Sequence, residues 1–144
     1  MIKDLVNDVI KTDLIKQAIF LDKLNITKQY FYKFRKGDYD FSLHKEKIKQ
    51  LVIEIYFQLQ DIYLLYSNES KEKILALLLN QNLTTLRELS FYCGLSIGTI
   101  NRWNEMRHSK ETHKKLKVGI KNLLIYKINT FKEIFNLRGL KVSN

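Results

Sequence analysis

The chain has 144 residues, 45% of them hydrophobic, with five glycines, no proline and a formal net charge of +10. That length suits one ordinary domain or two very small ones. The scarcity of the two residues that most turns recruit argues against a strand-rich fold and for helices joined by short polar corners.

The amino-terminal stretch MIKDLVNDVIK places acids where a signal peptide has an apolar core. Leu5, Val6, Val9 and Ile10 recur at helical spacing and mark a first helix. Residues 14–24 predict a second helix and 28–36 a third. A long helix follows over about 43–66, with Ile48, Leu51, Val52, Ile55, Leu59 and Ile62 on one side. Its apolar run is interrupted by Glu54, Gln58, Gln60 and Asp61, so it is too polar to span a bilayer. The expectation is a cytoplasmic protein with no membrane partner.

The SNES stretch (67–70) ends the long helix. Ile74, Leu75, Leu78 and Leu79 then mark another. TLRE (85–88) reads as a capping box, in which the Thr85 hydroxyl covers a free amide and Glu88 reaches back. Helices over about 86–93, 97–106 and 111–136 complete the chain.

This order repeats. A shift of 69 residues lays Leu5, Val6, Val9 and Ile10 on Ile74, Leu75, Leu78 and Leu79. It lays Asn25-Ile26-Thr27 on Gly94-Leu95-Ser96, and Phe31 and Phe34 on Ile100 and Trp103. Internal repetition is a strong signal of organisation. The predicted domains are 1–67 and 68–144.

Within each repeat lies the pattern of a short turn between two helices. The turn holds a residue that tolerates a left-handed backbone, Asn25 or Gly94. A hydroxyl residue, Thr27 or Ser96, caps the next helix, which buries two positions three apart and leaves its other face polar. The stretches QAIFLDKLNITKQYFYKF and TLRELSFYCGLSIGTINRW carry this spacing and resemble the lambda-repressor-like (Cro/repressor) helix-turn-helix domains. The resemblance covers about 14–52 and 73–124. FYKFRKGDYDFSLHKEKIKQL also looks like the end of such a domain, a recognition helix running into a glycine loop and a further helix. The first copy departs at Leu21, where the family places a small residue; Ser90 stands there in the second.

The resemblance implies an all-α fold of two tandem helix-turn-helix bundles, each ending in a long helix, and double-stranded DNA as partner. Gln17 matches the glutamine that starts the family's second helix and touches a phosphate. The outward set of the first recognition helix is Lys28, Gln29, Tyr32, Lys33 and Lys36, a polar face with no acid, entered through Thr27. Gln pairs with adenine edges, and Lys reaches guanine or phosphate. Arg35 and Lys16 would add phosphate contacts, which position without specifying. The second set is Ile97, Gly98, Asn101, Arg102 and Glu105, with Ser96 and Thr99 at the helix start. Asn101 and Arg102 suit base edges, but Glu105 would face phosphates. The first copy is therefore expected to be the main reader.

Other residues point away from catalysis. Cys93 sits where the motif buries a small side chain. His108 and His113 are five apart, off finger spacing, and one cysteine is too few for a zinc finger. There is no phosphate-cradling glycine loop, paired-carboxylate or Ser/His constellation, so no enzyme, metal or cofactor is expected. Trp103, Phe31 and Phe34 have the spacing of core anchors. Lys114, Lys115, Lys117, Lys121 and Lys127 make the last helix basic, beside an apolar stripe of Leu116, Ile120, Leu123, Leu124, Ile128, Phe131 and Phe135 that would serve a homodimer.

The functional expectation is sequence-specific DNA binding by a small transcriptional repressor of a phage, plasmid or other mobile element. The same features allow an accessory protein of plasmid replication, partition or transfer. Outside nucleic acid, they allow a protein-binding module, such as an antitoxin or an inhibitor of a host nucleic-acid enzyme.

Overall fold

The computed structural model of the chain describes residues 2–37 and 42–142. The expected glycine loop is covered only at Gly37; residues 38–41 lie outside the described residues. The described residues are helical, with no strand among them. In chain order the helices are α1 (Ile2–Lys11), α2 (Gln17–Leu24), α3 (Lys28–Lys36), α4 (Lys45–Leu65), α5 (Lys71–Asn80), α6 (Leu86–Cys93), α7 (Ile97–Asn101) and α8 (Lys110–Leu137). Short 3-10 turns at Ser42–His44 and Trp103–Glu105 precede α4 and follow α7. No helix among them is long and apolar enough to cross a membrane.

The 69-residue repeat extends to the backbone. Ile2–Lys11 corresponds to Lys71–Asn80, and Gln17–Leu24 to Leu86–Cys93. After the first helix of each copy, a left-handed residue turns the chain, Asp13 at φ 59° and Asn82 at φ 56°. The amides of Leu14 and Leu83 then donate to the carbonyls of Val9 and Leu78, each at 2.9 Å. The second left-handed position is Asn25 (φ 53°) in one copy and Gly94 (φ 64°) in the other. Here a residue with a β-carbon bears a steric cost that Asn lowers and Gly avoids. The hydroxyls of Thr27 and Ser96 accept from the amides of Tyr30 and Thr99, each at 3.1 Å.

The second helix is shorter than the apolar rhythm predicts. Leu14 and Ile15 are buried but lie outside α2. The left-handed turn at Asp13 ends α1, and both amides fold back onto the Val9 carbonyl. Two adjacent apolar side chains thus plug a corner, which a periodicity count reads as a helical turn.

The chain divides into two compact units, Met1–Phe57 with Asn129–Asn144, and Gln58–Ile128. These are not the expected halves 1–67 and 68–144, because α4 and α8 each contribute to both units. In the first unit Phe20, Phe31 and Phe34 are buried, with Phe20 and Phe31 stacked at 5.8 Å. Tyr56 meets the edges of Phe131 and Phe135 at 5.9 and 5.1 Å. Arg138 forks onto Asp8, its Nε and Nη2 donating to the two carboxylate oxygens at 2.6 and 3.1 Å.

The core of the second unit includes Ile74, Leu78, Leu89, Ile100, Leu116, Ile120 and Leu123. Gly119 lets α8 approach the end of α6, since a β-carbon there would lie 2.6 Å from the Cys93 Cα. Burial pushes the Cys93 thiol up to about 11, as befits a packing residue. The expected capping box is half formed. Thr85 accepts from the Glu88 amide at 3.1 Å, but the Glu88 carboxylate accepts from the Thr84 hydroxyl at 2.7 Å and pairs with Lys127 at 2.9 Å.

The last helix departs from expectation in two ways. The stripe from Leu116 to Phe135 that would serve a homodimer is buried in the chain's own core, all seven residues at 7% exposure or less. The dimer seam is therefore already occupied. Lys114, Lys115, Lys117 and Lys121 are exposed, but Lys127 is 2% exposed and belongs to the core rather than to a basic face.

Candidate nucleic-acid interface

α3 is a nine-residue helix with four cations and no acid. Phe31 and Phe34 turn inward, so Lys28, Gln29, Tyr32, Lys33 and Lys36 are left exposed. Thr27 starts the helix and Gly37, at φ 87°, ends it, its amide donating to the Phe34 carbonyl at 3.0 Å. Both ends are capped locally, and the face runs unbroken between them.

Beside this face lies an open hollow of about 700 Å³. Lys28, Gln29, Tyr32 and Lys36 line it from α3, as does Arg35. Gln17 from the start of α2 and Asn7 from α1 also line it. Among the described residues no carboxylate lines the hollow, and no ion pair neutralises Lys28, Arg35 or Lys36. Lys36 holds its ammonium 4.7 Å from the Tyr32 ring centroid, within cation–π range. Arg35 is half-buried and donates from Nε to the Asn7 Oδ1 at 2.7 Å.

Of the residues expected to touch DNA in the first copy, the hollow brings together Gln17, Lys28, Gln29, Tyr32 and Lys36. Thr27 is engaged as the cap, and Lys33 is exposed on α3 without lining the hollow. Asn7 was not legible as a site residue, because it lies 28 residues from Arg35 and carries no charge. One signal marks it: across the repeat Asn7 and Arg35 change together, to Ala76 and Asn104.

The second copy is built differently. Its expected helix 97–106 stops at Asn101; Arg102 leaves helical geometry and a 3-10 turn follows. Gly98 and Asn101 are weak helix formers. The next residue, Trp103, is held elsewhere: its Nε1 donates to Glu72 at 3.2 Å and its carbonyl meets the His108 Nε2 at 2.9 Å. His108 stacks on the indole at 3.7 Å, and His113 meets it edge-on at 5.4 Å. The two histidines, unrelated by helical spacing, thus share one aromatic anchor. No group of three or more potential metal ligands occurs among the described residues.

Ser96 and Thr99 bond to each other at 2.7 Å in the cap. Ile97, Asn101 and Arg102 are exposed, but they are divided between a five-residue helix and its exit. The first copy therefore presents one continuous basic face, and the second a short, mixed one.

Comparison of the chain with protein-family models, curated proteins and solved structures found no match.

Proposed function

We propose that the chain is a non-enzymatic, sequence-specific double-stranded DNA-binding protein, acting as a small transcriptional repressor of a mobile element. In this reading α2–α3 and α6–α7 are two tandem helix-turn-helix units. α3 enters the major groove and α6–α7 plays an auxiliary part. The observation that carries the reading is the acid-free face of α3 continuous with the hollow beside it. Amides and a phenol suited to base edges lie there next to cations suited to phosphates. Repression would follow from occlusion of a promoter by the seated helix.

The test is a binding titration against the duplex flanking the chain's own coding sequence and against unrelated duplex, each at two salt concentrations. The expected preference is roughly a thousandfold or more. Lys28→Ala/Gln29→Ala/Lys33→Ala abolishes it, whereas Asn101→Ala/Arg102→Ala weakens it less. Weak binding with a steep salt slope and no preference would leave only a polyanion footprint and turn attention to a protein partner.

A further inference from the structure

The hollow beside α3 holds more organisation than a basic helix face requires. Arg35 and Lys28 lie seven residues apart on α3 and both line it. Like charges gathered with no carboxylate among the described lining residues repel, and flexible cations would spread into solvent. Arg35 does not have that freedom. Its Nε–H is committed to Asn7 at 2.7 Å, which fixes the guanidinium plane and leaves the Nη groups to donate elsewhere. Lys36 is likewise placed at the Tyr32 ring. A planar guanidinium of set orientation, in a hollow that Lys28 and Lys36 also line, suits a tetrahedral oxyanion, which a guanidinium can bind bidentately.

The second copy acts as an internal comparison. At the positions of Asn7, Lys28, Arg35 and Lys36 it has Ala76, Ile97, Asn104 and Glu105. The orienting amide and all three cations are gone together and an acid has entered, while the left-handed turns and hydroxyl caps of the same copy are kept. The turns and caps of the second copy thus form without counterparts of these four residues.

We propose that the hollow is a seat for one phosphate group of a nucleotide, bound by Arg35 in an orientation set by Asn7 and closed by Lys28 and Lys36. Arg35 is the binding residue and Asn7 a positioning residue. The phosphate is supplied either by the backbone of duplex DNA, in which case the seat rests on the function proposed above, or by a free nucleotide.

The experiment uses the full chain, Arg35→Lys, Asn7→Ala and the double variant. Duplex affinity is measured over a range of salt, and dAMP and inorganic phosphate are titrated while the Arg35 Nε–H resonance is followed. Arg35→Lys keeps the charge but loses the fork. Duplex affinity is expected to fall about tenfold or more, the scale of one hydrogen bond to a charged group. The salt slope should stay the same, since it counts neutralised phosphates. Asn7→Ala should produce the same pattern, and the double variant should lose little more than either single one. A merely structural role would instead lower the melting temperature and leave affinity at a permissive temperature intact.

If the Arg35 resonance responds to dAMP or phosphate, and Arg35→Lys weakens that binding, the seat takes a free nucleotide, even if no duplex binds and the DNA reading fails. If only duplex is affected, the seat takes a backbone phosphate. Unchanged affinity for every one of these ligands in both single variants overturns the proposal.

Discussion

Lys127 carries an ammonium into the core of its unit, where it meets Glu88 at 2.9 Å beside the Thr84 hydroxyl. Such a pair adds little net stability when intact, but removing one partner strands the other. Lys127→Met is expected to cost about 3 kcal/mol or more in urea unfolding, and Glu88→Gln in the same background should recover part of it. Glu72 makes a second residue-scale prediction. Its backbone hydrogen bond, the Trp103 Nε1–H and the nearby histidines hold its carboxyl below the ordinary value of 4.5. A depressed carboxylate stabilises the fold above its unfolded pKa. The contribution is therefore complete well above pH 4.5 and lost as pH falls through the folded value. Unfolding followed by the fluorescence of Trp103, the one tryptophan in the chain, should show this acid-side loss, and Glu72→Gln should reduce it. Neither partnership was visible in sequence order, since Glu72 and Trp103 are 31 residues apart.

At the scale of elements, α3 and α7 diverge from one repeat pattern. α3 keeps its length because residues 28–36 contain no glycine and its cap is Gly37. α7 carries Gly98 inside it and surrenders its exit to the Trp103 cluster. The core anchors, the hydroxyl caps and the left-handed turns at Asn25 and Gly94 were legible in the sequence, because each is a local requirement of the backbone; the left-handed turns at Asp13 and Asn82 were not. The break at Arg102 was not, because tertiary contacts of the following residue accompany it. The crossing of α6 and α8 depends on Gly119. Alanine there would gain up to about 1 kcal/mol of helix propensity, but its β-carbon would lie 2.6 Å from the Cys93 Cα and 2.8 Å from its amide nitrogen. Displacing backbone outweighs propensity, so Gly119→Ala should lower stability by about 1–3 kcal/mol. The Cys93 thiol, buried in the native protein, should react with an alkylating agent sooner in that variant.

Across the whole molecule, the compact units do not follow the repeat. Residues 129–144 belong with the first unit and supply Phe131, Ile134 and Phe135 to its core and Arg138 to Asp8. Each buried apolar side chain is worth about 1.5–3 kcal/mol, so losing three approaches the total stability of a small domain. A chain ending at residue 128 should therefore lose the ordered first unit, seen as loss of its amide dispersion by NMR. A fragment of residues 1–67 should fail to fold alone. An independently folded fragment 1–67 would show that the carboxy-terminal segment is dispensable.

The sequence by itself determined the helical class, the 69-residue repetition, the turns at Asn25 and Gly94 with the caps that follow them, and the basic face of the third helix. These rest on local rules of spacing, backbone tolerance and charge, which act within a few residues. Tertiary structure alone decided that Lys127 is core rather than surface and that the last helix spends its apolar stripe inside its own chain. It alone set Asn7 against Arg35 and made α7 short. Each of these depends on which distant side chain arrives at a given place, and a spacing rule along one chain segment carries no information about that arrival.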